Sequence, residues 1–278
     1  MIDLQDIQIP PLSTVTVQVM QFDPLGETAS SQGLERIIAP DEGVCSDLLR
    51  IANSAYYGRS GRVKTLRDAI TLLGLKTVKN LVILLASKSM NNSLKGKIFL
   101  SYLNEFTITC ALVAEELCEK MGFKQYKEQA FLGALLHKIG MTILALDQKK
   151  AYSDLIENAE KNFADLIEEE RKLFGVDHIE VGKLAFEKWN IPDALQAVIS
   201  DHNFPAGEVG TQPDLVRITA LASLTTREMM GLLLSMSDLE RRASLASHYD
   251  VVDVVGTYNE GKYNQLKEHP FYKQVVGS

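Results

Sequence analysis

From residue 66 to about residue 230 the chain repeats apolar side chains three and four positions apart and almost nowhere two apart. Spacing of that kind closes a core only between helices, because a strand sends alternate side chains to opposite faces. "LRDAITLLG" at 66 to 74, "LKTVKNLVILLASKS" at 75 to 89 and "SYLNEFTITCALVAEELCEKMG" at 101 to 122 each read as one helix. "YKEQAFLGALLH" at 126 to 137 runs toward Gly140, where a break is expected before "MTILALD". Further amphipathic segments follow at 149 to 161, 162 to 175, 178 to 189, 192 to 202 and 213 to 230. The punctuation agrees. Thr65 with Asp68, Asp177 with Glu180 and Ser237 with Glu240 have capping-box spacing, Gly74 and Gly122 stand at helix ends, and Pro192 and Pro213 suit first turns. The tail from about 249 is less regular, with one short helix expected in "YNQLKEHPFYKQV". These signals predict an all-α fold joined by short loops.

Several classes of function find no support. A net charge of −7 argues against a whole-protein footprint on nucleic acid or an anionic membrane. No uninterrupted apolar run approaches the roughly 18 residues of a membrane span; the strongest, "LVILLA" at 81 to 86, is flanked by Lys79 and Lys88. "MIDLQDIQIPPL" carries no export signal, and Cys45, Cys110 and Cys118 lack CxxC spacing, so reduced thiols and a cytoplasmic location are expected. Neither a GxSxG elbow nor a glycine-rich phosphate loop occurs, and no cofactor is expected.

The five histidines are more informative. His178 opens one predicted helix and His202 closes the next, with "NIP" at 190 to 192 between them. At 1.5 Å per residue each helix is roughly 17 Å long, so an antiparallel hairpin brings the two imidazoles to one end. His137, at another helix end, would complete a set of three, which is a legitimate zinc set. The alternative is three helix-terminal histidines, each bonded to a carbonyl or water. The basic loop of Arg59, Arg62, Lys64 and Arg67, hinged by Gly58 and Gly61, either docks an acidic partner or a phosphate or is a solvated turn. Asn53 and Ser54 are expected to close the preceding helix, with Tyr56 and Tyr57 packed under the loop. Glu168, Glu169 and Glu170 read as a solvent face, and Trp189 as core.

"IPPL" at 9 to 12, "LLRIANSAYYG" at 48 to 58, "VKTLRDAITLLGLKTVKNLV" at 63 to 82, "GALLHKIG" at 133 to 140 and "DHIEVGKLAFEKWNIPDALQAVISDHN" at 177 to 203 occur in the order seen in HDOD domains, which the chain resembles over residues 9 to 225. These bacterial output domains are related to the HD metal-dependent phosphohydrolases. The resemblance implies an N-terminal helical subdomain at 1–98, packed on a degenerate HD-like core with C-terminal helices at 99–278. It also implies where catalysis should fail. HD hydrolases use an upstream histidine, a His-Asp pair and a later aspartate. Here the helix over 101 to 121 has no histidine, the pair is His137 and Lys138, and the later position falls near Ala222 and Ser223; Asp214 lies at another level of that helix. His178 and His202 match the family, and Asn203 stands where a further histidine often follows.

Lys138 weighs heavily against a metal. At about 4 Å and an effective dielectric near 20, an ammonium and a divalent ion repel by roughly 8 kcal/mol, against the roughly 10–16 kcal/mol that a structural zinc site supplies. Lys138 is therefore expected either to swing to solvent, as a helix-end lysine favourable to the dipole, or to replace the metal's charge and hold an anion. The expected function is a non-catalytic, regulatory signal-transduction module acting through protein partners in a signalling pathway, with no nucleic acid and no membrane insertion. His137, Lys138, His178, His202, Asn203 and Ser223 would form its vestigial pocket. The competing expectations are a metal-dependent phosphohydrolase using His137, His178 and His202 atypically, and a nucleotide-sensing domain without hydrolysis.

Overall fold

The computed structural model of the protein describes residues 2–27, 29–57, 62–162 and 164–277, and every regular element among them is helical. The all-α expectation holds. Four helices, α1 (Thr14–Gln21), α2 (Ser31–Ile38), α3 (Glu42–Ala52) and α4 (Leu66–Leu73), gather on one another and on the long α5 (Leu75–Asn91). Gly74, at φ +85°, makes the 111° turn from α4 into α5, a backbone state that favours glycine. A single turn, α6 (Lys97–Phe99), runs through a π-helical stretch at Leu100–Glu105 into α7 (Phe106–Lys120).

Next come α8 (Lys127–Leu136), α9 (Ile139–Asp147), α10 (Lys149–Asn162), α11 (Leu166–Phe174), α12 (His178–Lys188), α13 (Asp193–Asp201) and α14 (Asp214–Met229). α7 and α8 pack together and α14 lies against both, while α13 pairs with α12 and reaches α8 and α14. The chain ends in α15 (Met236–His248), α16 (Val252–Gly256), α17 (Glu260–Lys267) and α18 (Pro270–Val276), of which α18 returns to α5 and α7. The stretch "YNQLKEHPFYKQV", where one helix was expected, is thus divided between α17 and α18, with α16 before them in the tail. The long helical stretches Lys97–Lys120 and Lys124–Asp147 have the length and apolarity of membrane spans, which a search for uninterrupted apolar runs misses; 72% and 83% of their most apolar windows are buried inside this fold.

Most end signals act where expected. Asp177 and Glu180 form a reciprocal capping box, and Thr65 Oγ1 accepts from the Asp68 amide at 3.1 Å. Ser237 and Glu240 do not cap. The box at that end is Ser235 with Asp238, because α15 begins two residues earlier than the Ser237 spacing suggests. Pro192 and Pro213 occupy the cap position itself, not the first turn. Asn53 closes α3 and also grips Val63 from both sides, donating to its carbonyl at 2.8 Å and accepting from its amide at 3.0 Å.

The helix break near residue 140 falls at His137 and Lys138. Gly140 lies inside α9, and its role is close packing: a Cβ there would sit 1.8 Å from the His178 carbonyl oxygen. Trp189 is core, as expected, and its Nε1 donates to the Pro10 carbonyl at 2.9 Å. Cys110 and Cys118 are buried free thiols, both pushed up to about 12 by desolvation.

Candidate functional site

The contact of α9 with α12 at Gly140 and Gly182 is close enough to bring the start of α12 beside the end of α8. The α12–α13 hairpin then does what its length requires. His178 and His202 meet at one end with ring centroids 6.3 Å apart, and His137 from the end of α8 lies 5.1 Å from His202. All three imidazoles are buried.

Each ring is fixed through Nδ1. His137 Nδ1 donates to the Ala134 carbonyl at 2.7 Å, and His202 Nδ1 to the Val198 and Ile199 carbonyls at 3.1 and 3.0 Å. For these two histidines the carbonyl-bonded reading is therefore also correct. His178 Nδ1 donates instead to the Glu170 carboxylate at 2.6 Å. With protons on Nδ1, the Nε2 atoms of the neutral His137 and His202 carry lone pairs. That of His137 meets the Ser223 hydroxyl at 3.2 Å. Desolvation holds His202 down at about 3 and, helped by the neighbouring cationic and imidazole groups, holds His137 well below the ordinary histidine value. Both are neutral near pH 7.

Glu170 corrects the expectation of a three-residue acidic solvent face. It is fully buried, and besides His178 Nδ1 it accepts from the His178 amide at 2.9 Å and from the Tyr152 hydroxyl. The signal was present in the sequence: Glu170 lies four residues from both Leu166 and Phe174, on the face of α11 that turns inward.

Lys138 also departs from the helix-end expectation. It sits between α8 and α9 as the cap residue of α9, beside the positive end of that helix's dipole, and is partly buried. Its ammonium lies 3.8 Å from the Phe106 ring centre and 5.9 Å from that of Tyr102. Desolvation pushes its pKa down to about 7, with Arg227 adding to the effect.

Lys138, His178, His202, Asn203 and Ser223 line one cavity of about 130 Å³, with His137 buried behind them. The six residues grouped from the sequence therefore share one place. Sequence reasoning missed Arg227 and Arg241, which enter the same cavity from α14 and α15. The basic loop is elsewhere. Arg62 and Lys64 are exposed, Arg67 pairs with Glu35 at 2.7 Å, and Arg59, Gly58 and Gly61 lie outside the described residues. Tyr56 is exposed at 61% and meets Tyr57 and His269 edge-on.

A divalent metal of the HD kind does not fit this donor set. The His137 lone pair is engaged by Ser223, Glu170 is turned away onto His178 Nδ1, and an ammonium occupies the position after His137. No group of three or more His, Cys, Asp or Glu among the described residues is placed to hold a metal ion.

An all-helical HD-like core carrying a histidine cluster and a lysine defines the class. The chain belongs to the HDOD domain family, whose model matches residues 9–205. Among solved structures it is similar to an HDOD domain protein of unknown function from Geobacter sulfurreducens, with TM-score 0.71 and 18% identity over 94% of this chain and 93% of that one. A "Putative phosphohydrolase" from Shewanella amazonensis SB2B gives TM-score 0.69 and 24% identity over 98% and 96% of the two chains. A "Putative signal transduction protein" from Marinobacter aquaeolei VT8 gives TM-score 0.73 and 20% identity over 98% of this chain and 60% of that one. An uncharacterised Treponema pallidum protein matches at 23% identity over 197 residues, which is 70% of this chain and 38% of that protein's length. At these identities the structural likenesses establish the fold.

Proposed function

We propose that the protein is a non-catalytic signal-transduction module of HDOD type, cytoplasmic, whose output is contact with another protein of its pathway. The observation that carries this reading is Lys138, whose ammonium is held over Phe106 inside the cavity where an HD enzyme would present its metal-binding acid. The donor set does not suit a metal ion that would lower the pKa of an attacking water, and His137, His178 and His202 are each bonded through Nδ1 to a protein acceptor. Exposed apolar side chains at Leu233, Met236 and Leu239 lie where the chain leaves the cavity wall, and such exposure suits a partner contact. The name of the Marinobacter protein agrees with this reading.

The competing reading, a metal-dependent phosphohydrolase, is favoured by the convergence of His137, His178 and His202 and by the name of the Shewanella protein. Metal analysis of protein purified without chelator, joined to phosphate-ester assays, separates the two. The expected outcome is no stoichiometric metal and no turnover. Stoichiometric zinc, iron or manganese with turnover abolished by His178→Ala overturns the proposal. Co-purification from the native host then identifies the partner.

A further inference from the structure

The cavity beside the histidines holds three cations, Lys138, Arg227 and Arg241, and as many carboxylates, but no carboxylate among the described residues pairs with Lys138. Its three carboxylates are each engaged: Glu160 accepts from the Tyr102 hydroxyl, Asp165 caps α11 through the Ile167 and Glu168 amides at 2.8 and 3.2 Å, and Asp238 binds Arg241 at 2.7 Å and Arg227 at 3.5 Å. The Lys138 ammonium has neither a hydrogen bond nor an ion pair among the described residues and lies against the Phe106 and Tyr102 rings. Arg241 likewise keeps a buried Nε without an acceptor among the described residues. Leaving a desolvated ammonium without an anion is costly, and a bound oxyanion would offset that cost.

The histidines narrow the chemistry further. The Nδ1 atoms of His178 and His202 are committed to oxygen acceptors, and on the neutral His202 ring the Nε2 therefore presents a lone pair and no proton. Neither Nε2 has a partner among the described residues, and both residues line the cavity. A bare anion would meet the His202 lone pair unfavourably. An anion that also carries an O–H would donate to it while its charged oxygens meet Lys138. The rest of the wall mixes apolar Ile156, Leu166 and Leu224 with the polar Asn203, Ser223 and Ser235. At about 130 Å³ the space is well below the roughly 300–1,000 Å³ typical of drug-sized ligands, which favours something smaller than a nucleotide.

We propose that this cavity is a binding site for a small hydroxyl-bearing oxyanion, with Lys138 as the charge partner and the Nε2 of His202 as acceptor for the ligand's O–H. Monoprotonated phosphate and short 2-hydroxy carboxylates share that chemistry. The site deepens the non-catalytic reading and rests on it, since Lys138 serves here as a ligand-binding cation in place of a metal.

Thermal shift and isothermal titration with four probes test the assignment: inorganic phosphate against sulfate, and lactate against acetate, the second of each pair lacking the donor. The expected result is saturable stabilisation by phosphate or lactate. Its O–H-free counterpart should bind about tenfold weaker or less tightly still, with a similar loss in Lys138→Met. The probe that binds identifies the head group. No saturable binding of either phosphate or lactate overturns the inference, as does equal binding of the counterpart or equal binding by a folded Lys138→Met variant. A parallel assay with para-nitrophenyl phosphate keeps the two readings apart. Turnover there defeats the non-catalytic reading, whereas a lack of both turnover and binding defeats only the ligand assignment.

Discussion

Glu170 accepts from two donors of His178 and one of Tyr152, all of them buried. Glu170→Ala leaves those donors without partners, and the expected loss is about 3–5 kcal/mol, read as a fall in melting temperature of about 10 °C. A fall of no more than a degree or two would show that the carboxylate does not hold His178. Lys138 works in the opposite direction. Its folded pKa of about 7 lies below the unfolded value of 10.5, so between those limits the unfolded chain binds the extra proton and native stability rises with pH. Below pH 7 the native state bears the whole cost of the desolvated ammonium. Burial is the largest cause of the lowered pKa; of the charged and titratable groups facing the ammonium, Arg227 adds to the depression while Cys110, Asp238 and Glu170 oppose it. Lys138→Met should therefore stabilise the protein by about 1–4 kcal/mol at pH 6, and the gap between the two proteins should narrow toward pH 10. Denaturant midpoints at the two pH values check it, and a constant gap would refute the sign. The histidine cluster was legible from two helix lengths and a turn. The state of Lys138 was not, because whether a lysine finds solvent depends on Phe106 and Tyr102, which stand more than 30 positions away in the chain.

Among the elements, the crossing of α9 and α12 governs the site. Gly140 brings backbone to backbone: an added Cβ would meet the His178 carbonyl oxygen at 1.8 Å and the Gly182 nitrogen at 2.7 Å, neither of which is a movable side-chain end. Gly140→Ala must push the helices apart and carry His178 away from His202, at a cost of about 3 kcal/mol or more. The proton shifts of His178 and His202 in NMR spectra should both move. Gly207→Ala, in open space on a short helical turn, serves as the control and should leave those shifts in place. The helices themselves were legible wherever apolar spacing and a cap coincided, as at Asp177 with Glu180. The crossing was not, since a glycine inside "HKIG" carries the same local signal whether it ends a helix or admits a neighbour. The π-helical stretch at Leu100–Glu105 had no separate signal either, because its apolar pattern continues into α7.

At the scale of the whole molecule, the division at residue 98 expected from the sequence meets a helix that belongs to both sides. The run from Val78 to Leu85 in α5 is buried throughout, which requires cover on all sides. α1, α3 and α4 supply part of that cover, and α8 and α18 the rest. Lys79 donates to the Phe22 carbonyl at 2.8 Å and pairs with Glu128 of α8 at 3.0 Å, both in surroundings with little water. Removing either side would leave a large apolar face and a buried ammonium exposed together, so the two parts should unfold as one. Trp189 is the natural reporter, being the single tryptophan of the chain, placed in the core after α12 and bonded to Pro10 near the N-terminus. Its fluorescence and the far-ultraviolet circular dichroism should give one coincident denaturant midpoint. Lys79→Met, which keeps the apolar stem and leaves Glu128 without its cation, should lower that midpoint in both signals equally. Two separated midpoints, or a shift in one signal alone, would instead mark residues 1–98 as a unit that folds independently of the histidine core.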